Sequence, residues 1–131
     1  MDNLKAWGVH YISNRSVGPM DAVMFDIDDT LIFTNGKANT PMIELLREAK
    51  GMGCKIVIIT ARPGLGPVIN WTINQLRKYG IGFDYIGFTS AATKSLMKQK
   101  LPYKFILSVG DLPTDLTDSQ HFLNISNFYH N

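Results

Sequence analysis

Short runs of apolar, mostly β-branched or aromatic residues alternate along the chain with stretches in which apolar residues recur at helical spacing. Four runs carry the strand pattern, over residues 22–28, 55–60, 83–88 and 105–109. A fifth strand is predicted within 121–126. Strands that alternate with helices are typical of βαβ units, in which helices cover both faces of a parallel sheet. The pattern therefore predicts an α/β protein.

Three helices are predicted between these strands. The first begins at Thr40 as its capping residue, has Pro41 in its first turn and carries its apolar residues on one face. The second is expected over 67–79, where Gly80 supplies the stop. The third is shorter and is expected over 91–100.

Two segments outside these elements are predicted from local signals. The Asn35-Gly36 pair just after the first strand is a strong hairpin signal, so we predict a small β-hairpin flap there. Residues 1–20 are predicted to form an N-terminal extension, in which 6–12 could add an edge strand and 14–19 form a loop. The 131 residues, 45% of them hydrophobic, fit one domain with a real core.

Composition and charge exclude several classes of protein without naming a partner. The net charge of +2 and the pI near 8.7 describe a mildly basic chain, which has no run of lysines and arginines that would mark a nucleic-acid-binding arm. Cys54 is the sole cysteine, so no internal disulfide forms and a reducing compartment fits best. The longest aliphatic run, 56–59, is far shorter than the roughly 18 residues of a membrane span. We therefore expect a cytoplasmic protein with no membrane partner.

Acidic residues are concentrated after two of the predicted strands. Asp26, Asp28 and Asp29 crowd the end of the first strand. Asp111 and Asp115 lie just beyond the fourth, where loop capping is the alternative role. The carboxyl ends of parallel strands form the ligand crevice, so all these oxygens should converge if the two strands are neighbours. Like charges this close repel unless a cation lies among them, and hard oxygen ligands suit Mg²⁺.

The segment Phe25-Asp-Ile-Asp-Asp-Thr-Leu31 resembles the signature strand of the haloacid dehalogenase-like phosphatases, which carries an Asp-x-Asp-x-Thr motif. Three further matches follow in family order. Thr60 ends the second strand, Lys94 falls where the motif lysine is expected, and Gly110-Asp111-x-x-x-Asp115 matches the acidic fourth motif. Neighbouring lysines of the same predicted helix are the alternatives to Lys94.

This resemblance implies a fold and a reaction. The fold would be a three-layer α/β/α sandwich with a Rossmann-like, mostly parallel sheet. The reaction would be Mg²⁺-dependent hydrolysis of a phosphomonoester, in which Asp26 becomes an aspartyl-phosphate and Asp28 serves as general acid and base. Thr60 and Lys94 would bind the phosphoryl oxygens and stabilise their charge.

The resemblance also implies a set of metal ligands. These would be the Asp26 carboxylate, the Asp28 main-chain carbonyl and Asp111, with Asp115 as a direct or water-mediated ligand. Arg62 lies just past the motif threonine, where its guanidinium could grip a second phosphate or a substrate carboxylate. An ordinary surface arginine is the alternative for that position.

The two intervals in which family members carry a cap domain are short in this chain. Residues 30–55 leave room for a hairpin and one helix, and residues 60–94 for one helix and one strand. The active site should therefore be open, without a cap domain. An open site suits a phosphorylated small molecule, a nucleic-acid end or a phosphoprotein, or else a homo-oligomer in which the neighbouring subunit supplies a lid. The competing hypothesis is a catalytically weak binding or scaffold module with the same fold.

Overall fold

A computed structural model describes residues 1–126 and contains a five-stranded sheet. The strands lie in the order β3-β2-β1-β4-β5. Their bounds are Asp21–Phe25 for β1, Lys55–Thr60 for β2, Tyr85–Phe88 for β3, Lys104–Gly110 for β4 and His121–Asn124 for β5. Every pair of neighbouring strands is parallel, which confirms the predicted α/β class. The central strand β1 is buried along its whole length, as expected for a strand covered on both faces.

Four α-helices within residues 1–126 cover the sheet. They are α1 (Asp2–Ser13), α2 (Thr40–Gly51), α3 (Gly66–Lys78) and α4 (Lys94–Lys100). Alternate residues of β1 face two separate cores. Val23 and Phe25 pack in the larger core with side chains of α1, α2 and α3, whereas Ala22 and Met24 pack in the smaller core beside α4. The sheet therefore lies between two helical layers, and the predicted three-layer sandwich is confirmed.

The N-terminal segment is a helix over Asp2–Ser13, so the edge strand predicted over 6–12 is wrong. Leu4, Gly8 and Ile12 recur at a spacing of four residues and form the buried stripe of α1. Gly8 permits a close approach, because a Cβ there would lie 2.7 Å from a methyl carbon of Leu45 on α2. Because the central residue of the stripe is a glycine, which is not hydrophobic, the helical spacing of the stripe does not show in the pattern of apolar residues. Only the connection from residue 14 to residue 20 is a loop, as predicted.

The flap after β1 is a tight loop closed by one antiparallel bridge between Ile32 and Ala38. The Phe33 amide donates to the Lys37 carbonyl at 2.8 Å, and Gly36 has a left-handed φ of 86°. The turn was predicted correctly, but its two arms are paired by a single bridge and do not form an extended β-ladder.

The start of α2 differs from the prediction in one detail. Asn39, not Thr40, occupies the N-cap position, and its side-chain Nδ2 donates to the Thr30 carbonyl at 2.8 Å. Within the described part of the chain, only the flap and α2 lie between β1 and β2, and only α3 lies between β2 and β3. Neither interval holds a cap domain. Among residues 1–126, no helix has the length and apolar character needed to cross a membrane.

Candidate active site

The strand order reverses between β1 and β4, which places the ends of these two strands side by side. The chain continues from β1 through α2 to β2 on one side, whereas β4 pairs with β1 on the other. Phe25 is in register with Val109, and the Asp26 amide donates to the Val109 carbonyl at 3.1 Å. Ligands of parallel α/β sheets bind at such a switch point. The first residues beyond the two strands are therefore brought to one crevice.

Three carboxylates meet in this crevice. Asp26 follows β1 directly, while Asp111 and Asp115 follow β4, and one oxygen from each lies within 4.8 Å of the others. Asp115 reaches the cluster through the 3-10 turn Pro113–Asp115. Its side chain lies on Gly110, where any Cβ would collide with it, so the glycine of the fourth motif is required by packing. Asp26 and Asp115 are buried, and Asp111 is partly exposed.

Lys94 is the lysine that enters the cluster. It is the first residue of α4 and is almost completely buried. Its Nζ lies 2.8 Å from Asp26 Oδ1 and 2.6 Å from Asp115 Oδ1. Of the neighbouring lysines considered from the sequence, Lys100 is exposed and Lys98 points to other oxygens. The geometry therefore favours Lys94 as the motif lysine.

Lys98 is a second buried lysine, which the sequence offered only as an alternative to Lys94. Its Nζ donates to Ser108 Oγ at 3.0 Å, to the Asp115 carbonyl at 2.6 Å and to the Thr117 carbonyl at 2.7 Å. Its position four residues after Lys94 puts both side chains on one face of α4, and that spacing was the available signal. Lys98 thus holds the backbone of Asp115, while Lys94 contacts the carboxylate of the same residue.

Burial and charge set the protonation of this cluster. Burial raises the pKa of Asp26 well above its usual value, and the nearby Asp115 adds to the rise while Lys94 opposes it. Burial alone would lower the pKa of Lys94, but the charges of Asp26 and Asp115 outweigh it and raise that pKa. One ammonium offsets only one of the three carboxylates. A cluster of three hard oxygen ligands fits a divalent cation such as Mg²⁺, which would favour their ionised forms.

Asp28 lies outside the carboxylate cluster. Its Oδ1 accepts from Arg62 Nη2 at 2.8 Å and its Oδ2 accepts from Arg62 Nε at 3.1 Å, and the side chain is 53% exposed. Arg62 itself is held on its other side, where Nη1 donates to Gln75 Oε1 at 2.8 Å and to Thr72 Oγ1 at 3.2 Å. Four such bonds hold the guanidinium in place, and its contact with a substrate stays a prediction.

Asp29 also leaves the cluster. It adopts a left-handed backbone conformation with φ 59°, and its Oδ1 accepts from the Thr34 amide at 2.9 Å and from Thr34 Oγ1 at 2.7 Å. The expectation that all five acidic side chains converge is therefore wrong for Asp28 and Asp29. The chain turns sharply after β1, so that Asp26 points toward Lys94 on α4, Asp28 toward Arg62 and Asp29 toward the flap.

Thr60 is fully buried at the end of β2, next to the site. Its Oγ1 accepts from the Arg62 amide at 3.1 Å and so fixes the turn that presents the arginine. A phosphate contact by this hydroxyl stays a prediction, as does the Asp28 carbonyl as a metal ligand.

Comparisons with known proteins bear on the family and the fold of this chain. A family model described as haloacid dehalogenase-like hydrolase matches residues 23–110. The Bacillus subtilis (strain 168) protein named "Putative phosphatase YxeH" is 27% identical over 113 residues, which cover 82% of this chain and 41% of that protein. This chain thus spans about two fifths of the length of that relative.

Solved structures share the fold at low sequence identity. A structure of the Pnkp1/Rnl/Hen1 RNA repair complex contains a chain with a TM-score of 0.63 and 23% identity, over 73% of this chain and 37% of the other. The class C acid phosphatase from Bacillus anthracis, solved with tungstate bound, gives a TM-score of 0.58 and 16% identity, over 89% of this chain and 65% of the phosphatase. At these identities the likeness establishes the fold alone.

Proposed function

The chain belongs to the haloacid dehalogenase-like hydrolases, and from this premise we propose that it is a Mg²⁺-dependent phosphomonoesterase that acts through an aspartyl-phosphate. One observation carries the proposal. A buried aspartate at the switch point, Asp26, is held by the Lys94 ammonium beside two further carboxylates, Asp111 and Asp115. This is the combination that a phosphoryl-transfer site needs, namely a nucleophile, a fixed cation and ligands for a metal.

The metal ligands in this proposal are the carboxylates of Asp26, Asp111 and Asp115, with the Asp28 carbonyl as a fourth. A bound Mg²⁺ would neutralise charge on the phosphoryl oxygens and orient them. The burial of Asp115 and its hydrogen bond from the Leu112 amide at 3.1 Å hold one ligand in place before any ion binds.

The reaction would proceed in two displacements. A carboxylate oxygen of Asp26 attacks phosphorus, the ester P–O bond breaks, and Asp28, which enters this step protonated, donates its proton to the departing oxygen. Water then attacks the aspartyl-phosphate, Asp28 accepts a proton from it, and the bond between phosphorus and Asp26 breaks to release inorganic phosphate. Lys94 and Thr60 would bind the phosphoryl oxygens on which charge develops.

We propose that Arg62 serves this reaction by positioning Asp28. Its two hydrogen bonds fix both oxygens of that carboxylate, and its bonds to Thr72 and Gln75 anchor it to α3. A direct grip on the substrate, the other role predicted for Arg62, would require the exchange of one of these bonds.

The substrate in this proposal reaches an open site, because the described residues include no cap domain. An open site suits a nucleotide-type or macromolecular phosphomonoester, and the similar fold found in an RNA repair complex supports a nucleic-acid end. The proposal keeps two other substrate classes open to test, a small molecule and a phosphoprotein. It also includes a lid supplied by a second subunit and a cytoplasmic location.

The decisive experiment is hydrolysis of phosphomonoesters with Mg²⁺ and with EDTA. Asp26→Asn should lower turnover by more than about 10⁴-fold, because the nucleophilic carboxylate is lost. Asp29→Asn is the matched control, since it makes the same charge change three residues away, and asparagine tolerates the left-handed conformation of that position. Wild-type turnover in Asp26→Asn would refute the mechanism. Absence of wild-type activity on every substrate class would favour the scaffold hypothesis.

A further inference from the structure

An exposed tryptophan on α3 lies near Asp28, the residue proposed as general acid and base. Trp71 is 59% exposed, and the guanidinium carbon of Arg62 lies 4.9 Å from the centroid of its ring. The same guanidinium binds Asp28. The indole is therefore separated from the proposed proton donor by a single side chain.

The stacked arginine gives this indole a rigid support. Arg62 is fixed by Asp28, Thr72 and Gln75, so the cation against the ring has little freedom to move. An exposed tryptophan forgoes most of the free energy of burial that its side chain could provide. A rigid, exposed aromatic surface that is fixed in advance binds a planar ligand with little loss of conformational entropy.

A cavity of about 350 Å³ adjoins the indole. It lies between the flap and α3, and its lining residues are Gly36, Trp71, Asn74, Gln75, Lys78 and Tyr79. The Tyr79 hydroxyl donates to the Gly36 carbonyl and joins the two walls. This volume is within the range of small-molecule pockets.

The residues that line the cavity are uncharged, except for the basic Lys78. Asn74 and Gln75 provide amide donors and acceptors, and Lys78 provides a cation. The thirteen residues of α3 include Arg77 and Lys78 but no aspartate or glutamate. An aromatic surface with amides and a cation beside it matches a nucleobase with a neighbouring phosphate, since every base has a face that stacks and an edge that forms hydrogen bonds.

We propose that Trp71 and this cavity bind the base of a nucleotide whose terminal phosphate is hydrolysed at Asp26. This inference rests on the proposed function and names the substrate class of the same site. The base could belong to a free nucleoside monophosphate or to the end of a single strand. In the second case, Lys78 would pair with the next phosphate along the strand.

The kinetic test compares nucleoside monophosphates and phosphorylated oligonucleotides with ribose 5-phosphate, which carries the ester without a base. Stacking contributes about 1–3 kcal/mol per base, so Trp71→Ala should lower the ratio of kcat/KM for nucleotide over ribose 5-phosphate by about 5- to 150-fold. Trp71→Phe should keep most of this ratio. Trp7→Phe, at the other tryptophan, should leave both values unchanged. An equal loss on both substrates in Trp71→Ala would overturn the proposal.

A binding measurement separates this inference from the proposed function. In Trp7→Phe the sole tryptophan is Trp71, so its fluorescence reports directly on the cavity. A nucleoside monophosphate should quench this emission, whereas ribose 5-phosphate should not. Quenching without hydrolysis of any substrate would support the base site and refute the phosphatase. No quenching by mononucleotide or oligonucleotide would overturn the base site. Tighter binding of the oligonucleotide, lost in Lys78→Ala, would identify a strand end as the ligand.

Discussion

Two buried lysines lie one turn apart on the same face of α4, and their surroundings differ. The Lys94 ammonium is held between the carboxylates of Asp26 and Asp115. The Lys98 ammonium is held by uncharged oxygens, namely Ser108 Oγ and two main-chain carbonyls, one of them the carbonyl of Asp115. Both side chains are at most 2% exposed, so burial itself does not distinguish them.

The pKa values of the two lysines move in opposite directions. Burial lowers the pKa of Lys98 to about 8, and the charges of Asp118 and Asp115 oppose this only in part. At Lys94 the effect of burial is outweighed by the adjacent carboxylates of Asp26 and Asp115, and the pKa is raised. The comparison teaches that the charge of the partners distinguishes the lysine proposed to act in the reaction from the lysine proposed to hold the structure. Asp115 links the two regions, because its carboxylate binds one lysine and its carbonyl binds the other.

The largest expected effect that tests this comparison is on turnover. Lys94→Met should lower kcat for a phosphomonoester by about 10²- to 10³-fold at saturating Mg²⁺, because a fixed cation beside the phosphoryl oxygens is lost. Lys100→Met, at an exposed lysine of the same helix, is the matched control and should keep kcat within about twofold. If Lys94→Met retained the turnover of the control, the distinction between the two lysines would fail.

The next effect is on stability. Lys98→Met should lower the free energy of unfolding by about 3 kcal/mol, because the carbonyls of Asp115 and Thr117 lose a buried donor. Urea denaturation with an unchanged m value measures this loss. Apparent Mg²⁺ affinity should also fall, by about 10- to 100-fold, since Lys98 orients a residue that is proposed to bind the ion. A large loss of kcat at saturating Mg²⁺ with normal stability would contradict the structural role.

Much of the fold followed from local pattern. Alternation of apolar runs with helical stretches was enough to predict the parallel sheet and its three layers, because a strand buried on both faces must be almost entirely apolar. The helix at residues 2–13 was missed for a physical reason. Its stripe contains Gly8, whose value lies in the close approach to α2 and not in hydrophobicity. Contacts of that kind depend on the partner helix and cannot be read from one segment.

Only those parts of the site that depend on which strands are neighbours could be predicted from the sequence. Asp26 and Asp111 meet because β1 and β4 are neighbours, and this expectation is confirmed. The pairing of Asp28 with Arg62 depends on how two loops from different strands turn, over a separation of 34 residues. Similarly, the turn that carries Asp115 back over Gly110 decides which lysine meets a carboxylate. Helical spacing alone left that choice open.

The smallest expected effect is a pH dependence that separates the two lysines by sign. The folded protein releases the Lys98 proton near pH 8, and the unfolded chain near 10.5, so the unfolded chain binds more protons between these values and stability rises with pH. The raised pKa of Lys94 works in the opposite direction and only above 10.5. The destabilisation caused by Lys98→Met should therefore be about 2 kcal/mol greater at pH 9.5 than at pH 7.5. Urea denaturation at both pH values, with Lys100→Met as the reference, measures this difference. If Lys98→Met destabilised the protein equally at both pH values, the three oxygen acceptors would be keeping Lys98 charged despite its burial. The charge of the partners would then not be what separates the two lysines.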